Sequence, residues 1–262
     1  MGARRLCFAL ICALSLRCIP LAEAACQGLP VARSWLSLAH AAEADVTIQY
    51  FGHNFFQLTT SKGTQIITDP LTPGWYPTSP TVYPHAVTVG REHPHHNYVQ
   101  LARGNPVILR GLAHAGADWQ RIHTQVQEVM IFSVPIYQNG FVGALKGAAF
   151  VFDLGSLCII HLGDLSHRLT PEQLQQIGRV DMALVPIDGT YTMDAETARE
   201  VVQQLTPKIA IPMHYRDDRR RVERFTRGLP TRRPQHDTLR VNKATLPVAL
   251  EIVVLTPQGA RE

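Results

Sequence analysis

The order of the apolar segments is the feature that most limits the fold of this 262-residue chain. Short apolar runs separated by turns come first, over residues 46–68, and predict a meander of strands. From residue 158 to His214, apolar strands alternate with helical patterns at residues 170–177 and 193–204. The last predicted strand ends at His214. A meander followed by alternating strands and helices predicts an α/β fold built from layers of sheet and helix.

The composition is that of one globular domain. The chain is 45% hydrophobic and 18% charged, which excludes a disordered or collagen-like protein. No low-complexity linker divides it, so we expect a single domain over residues 25–262. The net charge of +4 is small for this length, and we expect no nucleic-acid partner.

The first 24 residues have the pattern of a secretory signal peptide. Arg4 and Arg5 form a basic start, an apolar run covers residues 6–16, and Ala-Glu-Ala at residues 22–24 is the small-x-small pattern of a cleavage site. A membrane anchor is the alternative, but the run is well short of the roughly 20 apolar residues that a span needs. We therefore expect an exported protein with no membrane span once the signal is removed.

Cleavage after Ala24 would leave two cysteines, Cys26 and Cys158. In an oxidising compartment these could form a disulfide, or they could stay as two unreactive thiols. The sequence leaves both alternatives open.

Side chains typical of metal ligands follow three short apolar strands. We expect one common sheet to bring these strand ends to the same rim, where open α/β layers place their sites. Neutral imidazole and carboxylate are ligands for zinc, iron and manganese, so the pattern predicts a metal site. A lone histidine would more often make ordinary hydrogen bonds, and it is the grouping that favours metal. The groups are His93, His95 and His96, then His161, Asp164 and His167, then His214.

Five segments resemble a known family. They are Phe-Gly-His-Asn at residues 51–54, Asp-Pro at 69–70, residues 160–167 around Asp164, the strand and loop at 181–192, and Pro-Met-His-Tyr at 212–215. Together they resemble the metallo-β-lactamase fold superfamily, and within it the branch similar to ascorbate-6-phosphate lactonase. The resemblance covers about residues 46–218. It implies a four-layer αβ/βα sandwich with metals at one edge of the two sheets.

The chain departs from the metal motif of that family, His-x-His-x-Asp-His, which aligns with residues 91–96. Arg91 replaces the first histidine and His95 replaces the aspartate. Tyr137 stands where relatives carry a further histidine. A guanidinium stays protonated and repels a cation. The resemblance therefore implies that one of the two metal positions of the family is lost.

The remaining ligands could hold one ion, zinc or else manganese or iron, with Asp164 and His95 as the catalytic residues. A shifted register is the alternative, in which His93 and His95 lead the motif and Asn97 and Tyr98 take the Asp and His places. That register breaks the match of the flanking residues. The expected metal ligands are His93, His95, His96, Asp164 and His214.

The expected substrate is a small, anionic molecule, because replacing an acidic ligand by histidine and adding Arg91 leaves positive charge in the site. The predicted substrate-binding residues are Arg91, His53, Tyr137 and His167. The alternative for Arg91 is a salt bridge with Glu92, Asp69 or Asp164 that fills the lost metal position. The many arginines of residues 216–233 could form an anion-binding rim or a solvated helix face.

Two functions fit these residues. The first is an exported hydrolase that uses a metal-activated water on an ester, lactone or phosphoester bond. The second is a non-catalytic relative that binds ligands after the loss of its metals. The non-catalytic function is favoured if Arg91 and Tyr137 fill the lost metal position and both reach Asp164.

Overall fold

The computed structural model describes residues 21–23, 26, 30–32, 46–77, 79–140, 143–216 and 218–259. The strands are β1 (Leu21–Glu23), β2 (Pro30–Ala32), β3 (Val46–Gly52), β4 (Phe55–Thr60), β5 (Gln65–Thr68), β6 (Ala86–Val89), β7 (Val107–Arg110), β8 (Leu112–Ala113), β9 (Asp118–Trp119), β10 (His123–Val126), β11 (Val129–Gly140), β12 (Gly143–Asp153), β13 (Cys158–His161), β14 (Met182–Pro186), β15 (Ile209–Met213), β16 (Thr231–Arg232), β17 (Thr238–Val241) and β18 (Glu251–Val253). The helices are α1 (Pro171–Ile177), α2 (Ala195–Leu205) and α3 (Arg219–Thr226), with 3-10 turns at Val99–Leu101, His114–Gly116 and Lys243–Thr245.

Two large sheets make up the framework. One has the strand order β17-β3-β4-β5-β6-β7, and the other has the order β10-β11-β12-β13-β14-β15-β18-β16. Each is antiparallel at one end and parallel at the other, with β5, β6 and β7 parallel in the first and β13, β14 and β15 parallel in the second. Two further sheets have two strands each, one formed by β1 and β2 and the other by β8 and β9.

The two sheets pack face to face. Ile48 and Phe56 of the first sheet belong to the same buried cluster as Val134 and Ile160 of the second. Alternate residues of the same strands point the other way, as the two-residue period of a strand requires. Phe55, next to Phe56, lies in a separate cluster on the outer face of the first sheet. The interior between the sheets is therefore the main core.

Helices cover the outer face of the second sheet. In α2 the buried residues Ala198, Val201, Val202 and Leu205 form one helical face, and Asp194 caps its first turn. Helix α2 contacts β14, and α3 packs on α2. The first sheet is covered in the described residues by a loop and the 3-10 turn Val99–Leu101, where a helix over 98–102 was expected. The α/β sandwich class is confirmed.

The expectation that the last strand ends at His214 is wrong. Helix α3 and strands β16, β17 and β18 follow it, and β17 returns to pair antiparallel with β3. These strands have two to four residues, too few to show a clear period in the sequence. Strands β11 and β12 form a longer hairpin than the predicted strands at 126–135 and 150–154, because their pairing continues through residues 136–140 and 143–149, where glycine, alanine and polar residues interrupt the apolar pattern.

Some expectations fall on residues that the structure does not describe. Most of the predicted signal peptide, residues 1–20 and residue 24, lies outside the described residues, as does the short helical stretch expected at 34–44. Within the described part of the chain, no helix combines the length and apolar character that crossing a membrane requires.

Cys26 and Cys158 are joined in a disulfide, and both are buried. The backbone N–H of Cys26 donates to the Asp153 carboxylate, and its carbonyl accepts from the backbone N–H of Arg179 at 2.6 Å. The bridge ties residue 26 to the first residue of β13, across a sequence separation of 132. The alternative that the sequence left open is thus resolved in favour of pairing.

We expect reduction of this disulfide to lower the thermal unfolding temperature. Releasing a loop of this length restores conformational entropy to the unfolded chain, worth about 5 kcal/mol in the chain-entropy model. The measurement is thermal unfolding with and without dithiothreitol. In the control, Cys158→Ser, the reductant should cause no further change. An unfolding temperature that is the same for oxidised and reduced wild type would contradict the prediction.

Candidate metal centre

The candidate site lies where the carboxyl ends of parallel strands from both sheets meet. Asp69 and the segment 91–96 follow β5 and β6 of the first sheet, while Asp164, Asp188 and His214 follow β13, β14 and β15 of the second. The expectation that one common sheet carries all the groups is therefore wrong. The rim is shared, because the parallel ends of two packed sheets face the same way.

Asp164 is at the centre of the site, and its side chain is only 1% exposed. The amide nitrogens of Asn54 and Gln138 each donate to this carboxylate at 2.7 Å, and Arg91 donates to it at 3.3 Å. Burial raises the pKa of the carboxyl, but the nearby imidazoles and the Arg91 guanidinium outweigh burial, so its net pKa is lowered. Asp164 is thus held ionised inside the protein.

Three buried histidines surround this carboxylate on one side. His53, His96 and His214 each offer one ring nitrogen, and these three atoms lie within 4.8 Å of one another. The Nε2 atoms of His53 and His96 are 3.3 Å apart. The Nε2 of His96 is 3.3 Å from Asp164 Oδ2, and the Nε2 of His214 is 3.4 Å from Asp164 Oδ1. We call these three residues the histidine triad.

Two further carboxylates orient the histidine triad. The Nδ1 of His96 is 3.1 Å from Asp69, and the Nδ1 of His214 is 2.8 Å from Asp188. Because an ionised carboxylate can only accept, each Nδ1 donates to its carboxylate, and the Nε2 of each ring is the atom that faces Asp164. Carboxylate–histidine pairs of this kind accompany metal-binding histidines.

The carboxylates are themselves fixed by the backbone. Asp69 accepts from the N–H of Gly90 at 2.6 Å, and Asp188 accepts from the N–H groups of Thr190 and Tyr191. A Cβ at residue 90 would lie 2.6 Å from the carbonyl oxygen of Ala148, so only glycine lets the chain approach Asp69 in this way.

The donor set fits a metal ion. Three imidazole nitrogens beside one carboxylate match the ligand types and number of a zinc site. Burial, followed by the neighbouring histidines, lowers the pKa of His53 well below its usual value, which keeps that ring in the neutral form that binds metals. Burial lowers the pKa of His96, but Asp164 and Asp69 outweigh it and the net pKa is raised. A proton or a cation is thus favoured between His96 and Asp164.

The backbone at this site is unusual. His53, Asp69 and His214 have φ angles of 55°, 40° and 56°, in the left-handed region. The His214 N–H donates to the carbonyl of His53 at 3.1 Å, which ties the turn between β3 and β4 to the end of β15. Left-handed conformations of residues other than glycine cluster at functional sites.

His93 and His95, which the sequence predicts as metal ligands, lie beside the histidine triad. Both line the cavity above the histidine triad, but neither belongs to it. The ring of His95 packs on Trp75, with ring centroids 3.4 Å apart, and His93 Nδ1 accepts from the backbone N–H of His95. Burial, followed by His93, lowers the pKa of His95 to about 4. His53, which the sequence placed only as substrate-binding, takes the third position instead.

Tyr137 and His167, which the sequence predicts to bind substrate, lie together and do not line this cavity. The ring of Tyr137 is 43% exposed and packs against Trp119, and His167 accepts from the Tyr137 backbone N–H. Gln138, on the opposite face of β11, points inwards to Asp164. The strand therefore contributes the amide of Gln138 to the site, and not the side chain of Tyr137, which was aligned with a histidine of the relatives.

Arg91 fills one side of the site by pairing with Asp164, one of the three partners that the sequence left open. Glu92 pairs instead with Arg110, at 2.6 Å. His161 is buried near the site, but its Nε2 lies 2.9 Å from the carbonyl of Asn54 and it contacts no member of the histidine triad.

Sequence reasoning did not assign Asn54, Gln138, Asp69 or Asp188 to the site. Asn54, Asp69 and Asp188 stand in segments that the resemblance used, and both carboxylates come within two residues of the end of an apolar strand. Position after a strand could have flagged the two aspartates. Nothing in the sequence marks Gln138, which sits inside a long hairpin.

A cavity of about 520 Å³ opens above the histidine triad. Arg91 and Gln138 lie on its inner side, and Trp75, Tyr191 and Arg216, all exposed, lie at its mouth. The cavity is large enough for a small molecule.

The family model of the β-lactamase superfamily domain matches residues 47–214, which hold every member of the histidine triad. The chain is 43% identical over 79 residues to the UPF0173 metal-dependent hydrolase of Thermoplasma acidophilum, covering 30% of this chain and 34% of that protein. It is 27% identical over 185 residues to the UPF0173 metal-dependent hydrolase of Natranaerobius thermophilus, covering 64% and 82%. The chain spans only 29% to 40% of the Thermoplasma, Nanoarchaeum and Carboxydothermus relatives.

Solved structures agree with the family model. A candidate Zn-dependent hydrolase of the metallo-β-lactamase superfamily from Thermotoga maritima is 31% identical, with a TM-score of 0.64 over 80% of this chain and 98% of that one. A protein from Parabacteroides distasonis with 17% identity and a TM-score of 0.60 shows the same fold, covering 81% of this chain and 94% of its own. The chain therefore belongs to the metallo-β-lactamase superfamily, as the sequence motifs indicate.

Proposed function

We propose that this protein is a metal-dependent hydrolase that holds one ion on the histidine triad beside Asp164. The observation that carries the proposal is the convergence of three buried imidazole nitrogens within 4.8 Å of one another. Relatives named as metal-dependent hydrolases support the same activity. Three imidazoles favour zinc, with manganese or iron as alternatives.

The reaction that we propose is hydrolysis of an ester, lactone or phosphoester bond in a small molecule. A bound ion would polarise the carbonyl or phosphoryl oxygen and lower the pKa of a water. Asp164, held ionised, would accept a hydrogen bond from that water and orient it towards the substrate. Gln138 Oε1 makes no hydrogen bond within the described part of the chain, so it can accept one from the same water or from the substrate.

Arg91 has a defined part in this proposal. Its guanidinium lies beside Asp164 on the side opposite the amide of Asn54, whose hydrogen bond is to the other carboxylate oxygen. There it supplies a permanent positive charge in place of a second cation. Negative charge that develops on a substrate oxygen would be stabilised by that charge, and an anionic substrate would be attracted. One ion per chain is the stoichiometry that follows.

The second candidate is a protein that binds a ligand without cleaving it. One observation favours it, the ion pair of Arg91 with Asp164, which uses part of the carboxylate that a metal would need. This candidate was also expected to have Tyr137 reach Asp164, but the ring of Tyr137 packs against Trp119 instead. Metal content separates the two candidates.

We expect the purified protein to contain about one zinc, manganese or iron per chain. His53→Ala should lose most of this metal, because it removes one of three imidazole ligands. His93→Ala is the matched control and should keep the metal, since His93 lies in the same cavity but outside the histidine triad. The measurement is elemental analysis of untagged protein after dialysis.

The outcomes discriminate between ligand sets. Loss of metal in His93→Ala with retention in His53→Ala would contradict the histidine triad and favour the ligands first expected from the sequence. Wild type that binds no ion even after incubation with added Zn²⁺ would favour the non-catalytic candidate.

Asp188→Asn should weaken Zn²⁺ binding by about 10- to 100-fold, because it removes the carboxylate that orients His214. The matched control is Asp118→Asn, whose side chain is 61% exposed and pairs with His114 and Lys146 rather than with a residue of the site. Competition with a chromophoric chelator measures both affinities. Equal affinities in the two variants would show that Asp188 does not support the metal site.

We also propose that the protein is exported and that its mature chain begins at Ala25. The disulfide of Cys26 supports this, since such bonds persist in oxidising compartments. Mass spectrometry of the protein from the periplasm or medium of an expressing bacterium should give the mass of residues 25–262 with the disulfide formed. Protein found only in the cytoplasm at full length would refute the proposal.

A further inference from the structure

The arginines that follow β15 are divided by the structure into two groups. Arg216 and Arg221 line the cavity above the histidine triad, whereas the side chain of Arg220 is 86% exposed and does not line it. The sequence pattern alone could not tell an anion-binding rim from a solvated face. The structure assigns two of these residues to the cavity.

The backbone fixes where Arg216 stands. His214 and Arg216 have φ angles of 56° and 51°, so the chain turns sharply just after β15. This turn places the Arg216 guanidinium over the ring of Trp75, 4.6 Å from its centroid. Arg216 is only two residues after His214 in the chain, and both residues line the cavity. A ligand in the cavity can therefore contact the Arg216 guanidinium as well as the histidine triad.

The charge of Arg216 is available to a ligand. Among the described residues, no carboxylate lies within 4.0 Å of its guanidinium, and a ring face uses its charge without using its N–H donors. Arg221 makes one long contact, 3.7 Å to Asp218. Among the described residues that line the cavity, the one carboxylate is Asp188, and it is already engaged by His214 and the backbone.

The apolar ring of Trp75 adjoins both Arg216 and the histidine triad, with its centroid 4.6 Å from the guanidinium carbon and 6.1 Å from the centroid of the His53 ring. Trp75, Leu145 and Tyr191 are 39%, 44% and 40% exposed, and all three line the cavity. They are three of the eight large hydrophobic side chains that are exposed in the described ranges. Exposed apolar groups gathered at a cavity mark a place where ligands bind.

We propose that Arg216, assisted by Arg221, binds an anionic group at the far end of the substrate, while Trp75, Leu145 and Tyr191 contact a short apolar chain that joins this group to the scissile bond. The inference rests on the proposed hydrolase function. It names the substrate class as a small ester or lactone that carries a distal carboxylate or similar anion.

The test uses two esters of equal chain length, mono(4-nitrophenyl) adipate with a terminal carboxylate and 4-nitrophenyl hexanoate with a terminal methyl. In Zn²⁺-loaded protein, Arg216→Gln should lower kcat/KM for the adipate about tenfold, since a hydrogen bond to a charged group is lost. The hexanoate should change by less than about twofold. Arg220→Gln, which removes the same charge from the same segment, is the control and should change neither.

An equal effect of Arg216→Gln on both esters, or the same effect in Arg220→Gln, would overturn the assignment. If wild type cleaves neither ester, the proposed activity on such esters fails, and the subsite is tested by binding alone. Calorimetric titration with the uncleaved 4-nitroanilides of the same two acids should then show about tenfold preference for the anion, lost in Arg216→Gln. No preference in wild type would overturn the subsite itself.

Discussion

The buried carboxylate of Asp164 is the interaction on which the site depends. A charge removed from water is tolerated only when it is paired and hydrogen-bonded, and Asp164 meets this condition with groups from both sheets. Asn54 comes from the turn between β3 and β4, Gln138 from the long hairpin, and His96 and His214 from the ends of β6 and β15. Removing the carboxylate would leave these groups facing each other without a counter-charge. The same contacts that make Asp164 tolerable therefore hold the edges of the two sheets together.

Much of the fold follows from local signals. The meander and the alternating second half are visible because apolar strands of four to seven residues, such as β3 and β5, are bounded by turns. The strands that the sequence did not predict are short or polar. Strand β17 has four residues, two of them polar, and it pairs with β3 from a distant part of the chain. Long-range pairing of this kind has no local pattern to detect.

The site could be predicted in part for a similar reason. The sequence predicted that His96, Asp164 and His214 lie in one site, because each follows an apolar strand and the motifs occur in the order typical of the family. His53 and Gln138 depend on how two sheets pack, which no spacing in the sequence records. Tyr137 and Gln138 illustrate this, since a shift of one residue along β11 exchanges the inside for the outside. The effect of Arg91 on the charge of the site could be predicted from the sequence, because a guanidinium near Asp164 adds a permanent positive charge whatever its exact position.

The left-handed backbone of His53, Asp69 and His214 sets stability against chemistry at these positions. Each such conformation costs about 1–2 kcal/mol for a residue with a Cβ, and glycine escapes that cost. Glycine would also remove the imidazole or carboxylate that the site uses. The backbone and the site therefore favour different residues at the same three positions, and the chain carries the residues that serve the site.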